Sequence, residues 1–335
     1  MTLWLQLTIC LVIIGYAGWH LSRYGDILAE KTGLSASWIG LILLATATSL
    51  PELVTGITAV TAAQAPDIAV GDVMGSAIFN LLILVMLDAV YRKESLYTRA
   101  AQGHILSAAL GALLIAFAGA SMLLDQADSR PALVGHIGLY SPLLLLIYLA
   151  AMRAVYHFEQ RTLAEFTEAA ASRYAGITLR QAWLGYLVAA AVIVAAGSWL
   201  PFVAKNLAEF MGWEQSFVGT LLVAAITSAP EAAVTLSALR MGAVDMAIAN
   251  LLGSNLFNIA ILAVDDVFYL NGPLFAAISP SHVQTALVAV MMSALVIVGL
   301  IYRPRERRAL GLSWISIGLF MLYVINTWLL YRHGL

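Results

Sequence analysis

The sequence predicts an all-α membrane protein of ten transmembrane helices, arranged as two inverted five-helix repeats with the second and seventh helices broken. Three observations carry this expectation. Hydrophobic residues make up 61% of the chain and charged residues only 11%, against about 25% charged in a soluble domain; the mean hydropathy is +0.89. Ten apolar runs approach or exceed the ~20 residues that a spanning helix requires. One unusual stretch, in which a glutamate, a proline and paired hydroxyls interrupt an apolar run, occurs twice.

The ten runs fall at about 2–20, 36–62, 67–91, 104–124, 133–156, 181–203, 215–239, 243–269, 283–302 and 310–331. The first has no basic flank before it and reads as a spanning helix, not a cleaved signal peptide. Residues 1–156 form the first five-helix repeat, 157–180 a cytoplasmic linker with room for a short surface helix, and 181–335 the second repeat. Lysine and arginine placement orients the chain. With the N-terminus outside, the inside loops hold fourteen of the 17 basic residues and the outside segments three: Arg130, Lys205 and Arg332. Five spans per half, an odd number, make the second half enter from the opposite side, so the repeat is inverted about an axis in the membrane plane.

The repeated stretch reads SWIGLILLATATSLPE at Ser37–Glu52 and SFVGTLLVAAITSAPE at Ser216–Glu231. It continues as DIAVGDVMGSAIFN at Asp67–Asn80 and DMAIANLLGSNLFN at Asp245–Asn258. Glu52 and Glu231 are 231−52 = 179 apart, and Asn80 and Asn258 are 258−80 = 178 apart. Pro51 and Pro230 deprive the carbonyls of Ala47 and Ile226 of helical partners, and broken helices at membrane depth belong where they are buried or line a wet cavity. Thr48 shares a helix face with Glu52, Thr227 with Glu231, Ser76 with Asn80 and Ser254 with Asn258. Gly75 and Gly253 are expected to let a neighbouring backbone approach. Folding the two halves together then gathers two carboxylates, hydroxyls, amides and freed carbonyls near the midplane.

That inventory is all oxygen, which suits Ca²⁺ or Na⁺ and not Zn²⁺ or copper. An intramembrane glutamate costs several kcal/mol, ~3 on insertion scales; a purely structural ion pair is the bland alternative, and for Ser76 and Ser254 helix packing is. Asp88 and Asp266, 266−88 = 178 apart, lie about 12 Å beyond the asparagines and are expected at solvated helix ends, or else on an access path. Asp72 and Asn250 read as boundary residues, and His20, His104 and His136 as interfacial. A net charge of −2 gives no basic surface for nucleic acid, and the single cysteine, Cys10, permits no internal disulfide. HExxH is absent and Ala69-Val70-Gly71-Asp72 lacks the first glycine of a GxGD protease motif, so no enzyme is expected.

On the motifs ATSLPE (Ala47–Glu52), GDVMGSAIFN (Gly71–Asn80), ITSAPE (Ile226–Glu231) and NLLGSNLFN (Asn250–Asn258) the chain resembles the cation/calcium exchanger superfamily of sodium/calcium and calcium/proton antiporters. The resemblance implies alternating access, with the first and sixth helices sliding past a core. It implies ion ligands at Thr48, Ser49, Glu52, Ser76 and Asn80, with Thr227, Ser228, Glu231, Ser254 and Asn258. The backbone carbonyls of Ala45 and Ala224 would join them, with both glutamates bridging the calcium. The transported Ca²⁺ and Na⁺ or H⁺ are then substrates, no cofactor is needed, and the lipid bilayer of the plasma membrane is the setting. One departure stands out: relatives often carry an acid at one of the positions held here by Asn80 and Asn258. With amides at both, Glu52 and Glu231 are expected to be the site's only carboxylates, which puts a three-sodium stoichiometry in question.

Overall fold

A computed structural model describes residues 1–32, 47–91, 95–127, 133–171, 176–304 and 312–333. Among these, eight helices are long and apolar enough to cross a membrane. They are α1 (Thr2–Lys31), α3 (Pro66–Val90), α4 (Gly103–Ala127), α5 (Tyr140–Ala171), α6 (Leu179–Met211), α9 (Val244–Phe268), α10 (Ser281–Tyr302) and α11 (Trp314–His333). A ninth span is a bent pair, α7 (Gln215–Thr227) and α8 (Ala229–Arg240), meeting at 43°. The short α2 (Leu50–Thr61) starts directly after a turn at Ser49; the first half of the expected second span, including Ala45, lies outside the described residues.

Local sequence explains where these elements start and stop. Pro51, Pro66 and Pro230 each occupy the first turn of their helices, where a missing N–H leaves no bond unmade. Thr178 caps α6 in a reciprocal box with Gln181, and Gly212 ends that helix at φ 67°, a left-handed geometry that glycine adopts freely. The most buried spans are α3 and α9. Both carry apolar residues around their whole circumference, as expected of helices surrounded by other helices, with the buried polar residues of the core set among them. Helices α1 and α6 pack along each other at the periphery, while α2, α3, α8 and α9 form the centre.

Three boundaries differ from expectation. Helix α1 continues to Lys31, well past position 20. The fifth span begins at Tyr140 rather than 133, because Leu133–Val134 (β1) pairs antiparallel with Ile137–Gly138 (β2) across a turn with Gly135 at φ 71°. Helix α5 then runs to Ala171, so most of the expected 157–180 linker extends the fifth helix and is no separate surface helix.

Carboxylates tie the ends together in matched sets, Asp67 and Asp245 half-buried and Asp88 and Asp266 fully buried. Asp67 accepts from the Ser279 N–H at 2.6 Å and lies 3.0 Å from His282 Nε2. Asp245 accepts from the Ala101 N–H at 2.7 Å and lies 3.1 Å from His104 Nε2. The offsets agree: 245−67, 279−101 and 282−104 are each 178. His104, expected at an interface, is buried on this acid instead. Asp88 accepts from Leu96 N at 2.9 Å, Ser313 N at 2.9 Å and Ser316 Oγ at 2.8 Å. Asp266 accepts from Leu274 N at 2.7 Å, Gly138 N at 2.9 Å, Tyr140 Oη at 2.8 Å and Ser141 Oγ at 2.5 Å. Both acids are fully buried, which corrects the expectation of solvated ends: each satisfies loop N–H groups that lack water.

These ties define two faces. One carries the N-terminal Trp4 against Trp213, Lys205 Nζ donating to Ala63 O, and Asn271 on Gln64. The opposite face carries the Asp88 loop, Thr98 donating to Pro304 O and Arg303 to Ala100 O.

The two motif glycines separate sharply. A Cβ on Gly75 would run into Thr220 O and come within 2.7 Å of Ala224 Cβ, whereas one on Gly253 meets nothing within 4 Å. Only the first fulfils the expected close approach, because α3 lies directly on the π-helical turn Gly219–Val223. Gly75→Ala is therefore expected to cost about 1–3 kcal/mol by overpacking. Gly253→Ala should be neutral or stabilise by about 0.5–1 kcal/mol through helix propensity. Thermal unfolding of the two variants in detergent checks this; equal losses would refute the contact.

Candidate functional site

The two proline breaks put the polar residues at the centre of the fold. At Ser49 (φ −94°, ψ 16°) and Ser228 (φ −81°, ψ 4°) the backbone leaves helical geometry for one residue. The next turn then presents Glu52 and Glu231 from the starts of α2 and α8, facing α3 and α9. Ser49 Oγ donates to Glu231 Oε1 at 3.3 Å, and Ser228 Oγ to Glu52 Oε1 at 3.4 Å. Ser76 Oγ reaches Glu52 Oε1 at 3.5 Å, and Ser254 Oγ reaches Glu231 Oε1 at 3.4 Å. Thr48 Oγ1 lies 3.3 Å from Ser254 Oγ, and Thr227 Oγ1 lies 3.4 Å from Ser76 Oγ. Each of these six contacts has its counterpart from the other half.

These side chains are withdrawn from water: Thr48 is 2% exposed, Ser254 1%, and Ser49, Glu52, Ser76, Asn80, Thr227, Ser228, Glu231 and Asn258 are 0%. Each glutamate uses Oε1 for its hydroxyl contacts, while Glu52 Oε2, Glu231 Oε2, Asn80 Oδ1 and Asn258 Oδ1 have no hydrogen-bond partner. Buried acceptors without partners cost free energy. Here the residual set is two carboxylate and two amide oxygens among hydroxyls, which is the donor chemistry of a hard cation. No group of three or more His, Cys, Asp or Glu suited to a metal occurs among the described residues, so any cation here leans on neutral oxygens as well as the two glutamates. Of the residues read from the sequence, nine are joined by hydroxyl, carboxylate or amide partners, and Asn258 lies fully buried beside them with neither amide atom hydrogen-bonded. Ala224 lies buried in α7, where its carbonyl accepts the Ser228 N–H at 3.0 Å. Ala45 falls outside the described residues.

Two further residues belong to the cluster and were not assigned to it by sequence reasoning. Asp72, expected at a boundary, is 0% exposed and accepts from Thr227 Oγ1 at 2.6 Å. The glutamates are therefore not the only acids near the site; a third stands one hydroxyl behind them. Asn255 accepts from Asn80 Nδ2 at 2.9 Å and donates through its own Nδ2 to Ala77 O at 3.1 Å, so it orients the Asn80 amide. The signal for Asp72 was present: it sits one helical turn before Ser76, on the same face. Asn250, its counterpart, instead donates to Thr235 Oγ1 at 3.0 Å.

Comparison with known proteins follows this geometry. The family model described as sodium/calcium exchanger protein matches residues 2–156 and 181–332. Inner membrane protein YrbG of Escherichia coli (strain K12) is 27% identical over 257 residues, covering 76% of each chain. Sodium/calcium exchanger MaX1 of Methanosarcina acetivorans is 28% identical over 270 residues, covering 72% of this chain and 76% of the relative. Among solved structures, the H⁺/Ca²⁺ exchanger CAX superposes with a TM-score of 0.68 at 15% identity, over 98% of this chain and 85% of that one.

Proposed function

Because the chain belongs to the sodium/calcium exchanger protein family, we propose that it is a secondary-active antiporter that exchanges Ca²⁺ for Na⁺ across a cytoplasmic membrane by alternating access. The observation that carries this reading is the pair Glu52 and Glu231, fully buried and each with one unpartnered oxygen among hydroxyl and amide groups. The ligands would be Glu52, Glu231, Thr48, Thr227, Ser49, Ser228, Ser76, Ser254, Asn80 and Asn258, with carbonyls of Ala45 and Ala224. Repeated hydrogen bonds at offsets of 178 and 179 support ten spans in two inverted repeats, and the distribution of lysine and arginine supports an N-terminus outside. The name of the E. coli relative, an inner membrane protein, supports the cytoplasmic membrane.

Two ionised glutamates balance one Ca²⁺, two Na⁺ or two protons. A site left with two uncompensated charges is expensive to carry through low dielectric, so the site exchanges one load for another and does not return unloaded. The exchange these two carboxylates imply is electroneutral; Asp72 would add a charge only by ionising behind Thr227. Radiolabelled calcium uptake into inverted vesicles, driven by an imposed sodium gradient or an imposed pH gradient, tests the reading. Uptake driven by sodium with no net current under voltage clamp is the expected result. Uptake driven by the pH gradient alone would assign the counter-ion to protons, the chemistry named for the CAX structure. Flux without any counter-ion would replace antiport by a channel.

A further inference from the structure

The matched contacts make the two halves of the core comparable residue by residue, and at one place they differ in charge. On the side of the glutamates nearer the N-terminal face lie Gly56, Asp72 and Asp265. The positions related to them by the repeat are Thr235, Asn250 and Leu87 on the opposite side. Two carboxylates on one side of the glutamates thus correspond to an amide and a leucine on the other.

Asp265 is the more unusual of the two. It lies in the last turn of α9, is 0% exposed, and neither carboxylate oxygen has a hydrogen-bond partner. Both oxygens rest against Gly56, one turn beyond Glu52 on α2: a Cβ there would lie 2.5 Å and 2.6 Å from them. Its neighbour Asp266 spends its own oxygens on four donors. The ionisable groups close enough to act on Asp265 are Asp266 on its own helix and Asp72 from α3. Beyond these, the elements packed on α9 contribute Glu52 from α2, Asp88 from α3, His104 and Asp125 from α4, Tyr140 and Tyr148 from α5 and Glu231 from α8, and no lysine or arginine is among the buried described residues. A bare carboxylate among acids, at membrane depth and without a donor, is an expensive group. One bound proton removes that charge, and no metal-holding group of acids forms around it among the described residues.

We propose that Asp265 is a proton-binding site, separate from the central ligands, on the half of the ion path that leads to the N-terminal face. Gly56 leaves the space for it, and the leucine at position 87 denies the other half an equivalent. The proton exchanges with the N-terminal face only, the side on which Asp265 lies. That last step rests on the antiport reading; the protonation itself does not.

Infrared spectroscopy of the purified full chain tests the site without any transport. The wild type should show a carbonyl stretch of an un-ionised carboxylic acid that is missing in Asp265→Asn, and Gly56→Ala, which displaces the same carboxyl, should shift that band. Because an amide replaces a neutral acid, Asp265→Asn should melt at the wild-type temperature. Identical spectra in wild type and Asp265→Asn, or a strongly lowered melting temperature in that variant, would mean that the carboxylate is ionised and would overturn the proposal. In vesicles of defined orientation, calcium uptake should respond to pH on the N-terminal face, and Asp265→Asn should lose that response. An unchanged response would also overturn the proposal. A failure of all calcium uptake in the wild type would count against the antiport reading and leave the infrared result intact.

Discussion

Glu52→Gln and Glu231→Gln should each reduce calcium movement by at least about a hundredfold while the protein still folds. Each substitution leaves a dication facing a single carboxylate in a pocket closed to water. Breaking a buried charge pair from one side costs about 3–5 kcal/mol, which is roughly two to four powers of ten in affinity. Folding survives because glutamine preserves the shape and keeps an Oε1 that still accepts from Ser76 and Ser228, or from Ser49 and Ser254. Radiolabelled calcium uptake, with size-exclusion elution as the folding control, checks both variants. Near-normal flux in either one ends the assignment of that glutamate, and the near symmetry of the contacts predicts losses of similar size.

Much of this centre was legible in the sequence because two kinds of signal are local. Proline within an apolar run breaks a helix wherever it lies, and Pro51 and Pro230 each open a helix directly after a non-helical serine. Residues four apart share a face, which placed Ser76 beneath Asn80 and Thr48 beside Glu52. What escaped was whatever depended on a partner distant in sequence. Asp72 was assigned to a boundary because it lies near the start of α3, yet α7 brings Thr227 onto it from 155 residues away. His104 was placed at an interface, and Asp245, 141 residues on, draws it inside. Gly75 and Gly253 read identically in their motifs, but only Gly75 has a neighbouring backbone against it. Repetition in sequence predicts repetition of the fold and says less about packing, since each copy meets a different set of neighbours.

The adjacent acids Asp265 and Asp266 give that point its sharpest test. The repeat pairs Asp266 with Asp88 and Asp265 with Leu87, but the sequence does not show what surrounds either acid. The structure gives them opposite surroundings, four donors for Asp266 and none for Asp265. Asp266→Leu should therefore be severely destabilising. It leaves the N–H groups of Gly138 and Leu274 and two hydroxyls facing hydrocarbon, and each buried unsatisfied group costs about 1–3 kcal/mol. Partial relaxation toward solvent leaves a net loss on the order of 4 kcal/mol. The β1–β2 hairpin and the segment before α10, both anchored on this carboxylate, would loosen first, and hydrogen exchange at Gly138 and Leu274 should report it. Asp88→Leu should behave in the same way at the opposite face, freeing Leu96 and Ser313. Asp265→Asn, one residue away, should leave stability unchanged. Monodispersity on heating in detergent separates the outcomes. Equal losses at 265 and 266 would show that the end of α9 depends on negative charge in general; unequal losses would show that it depends on which carboxylate has donors to receive.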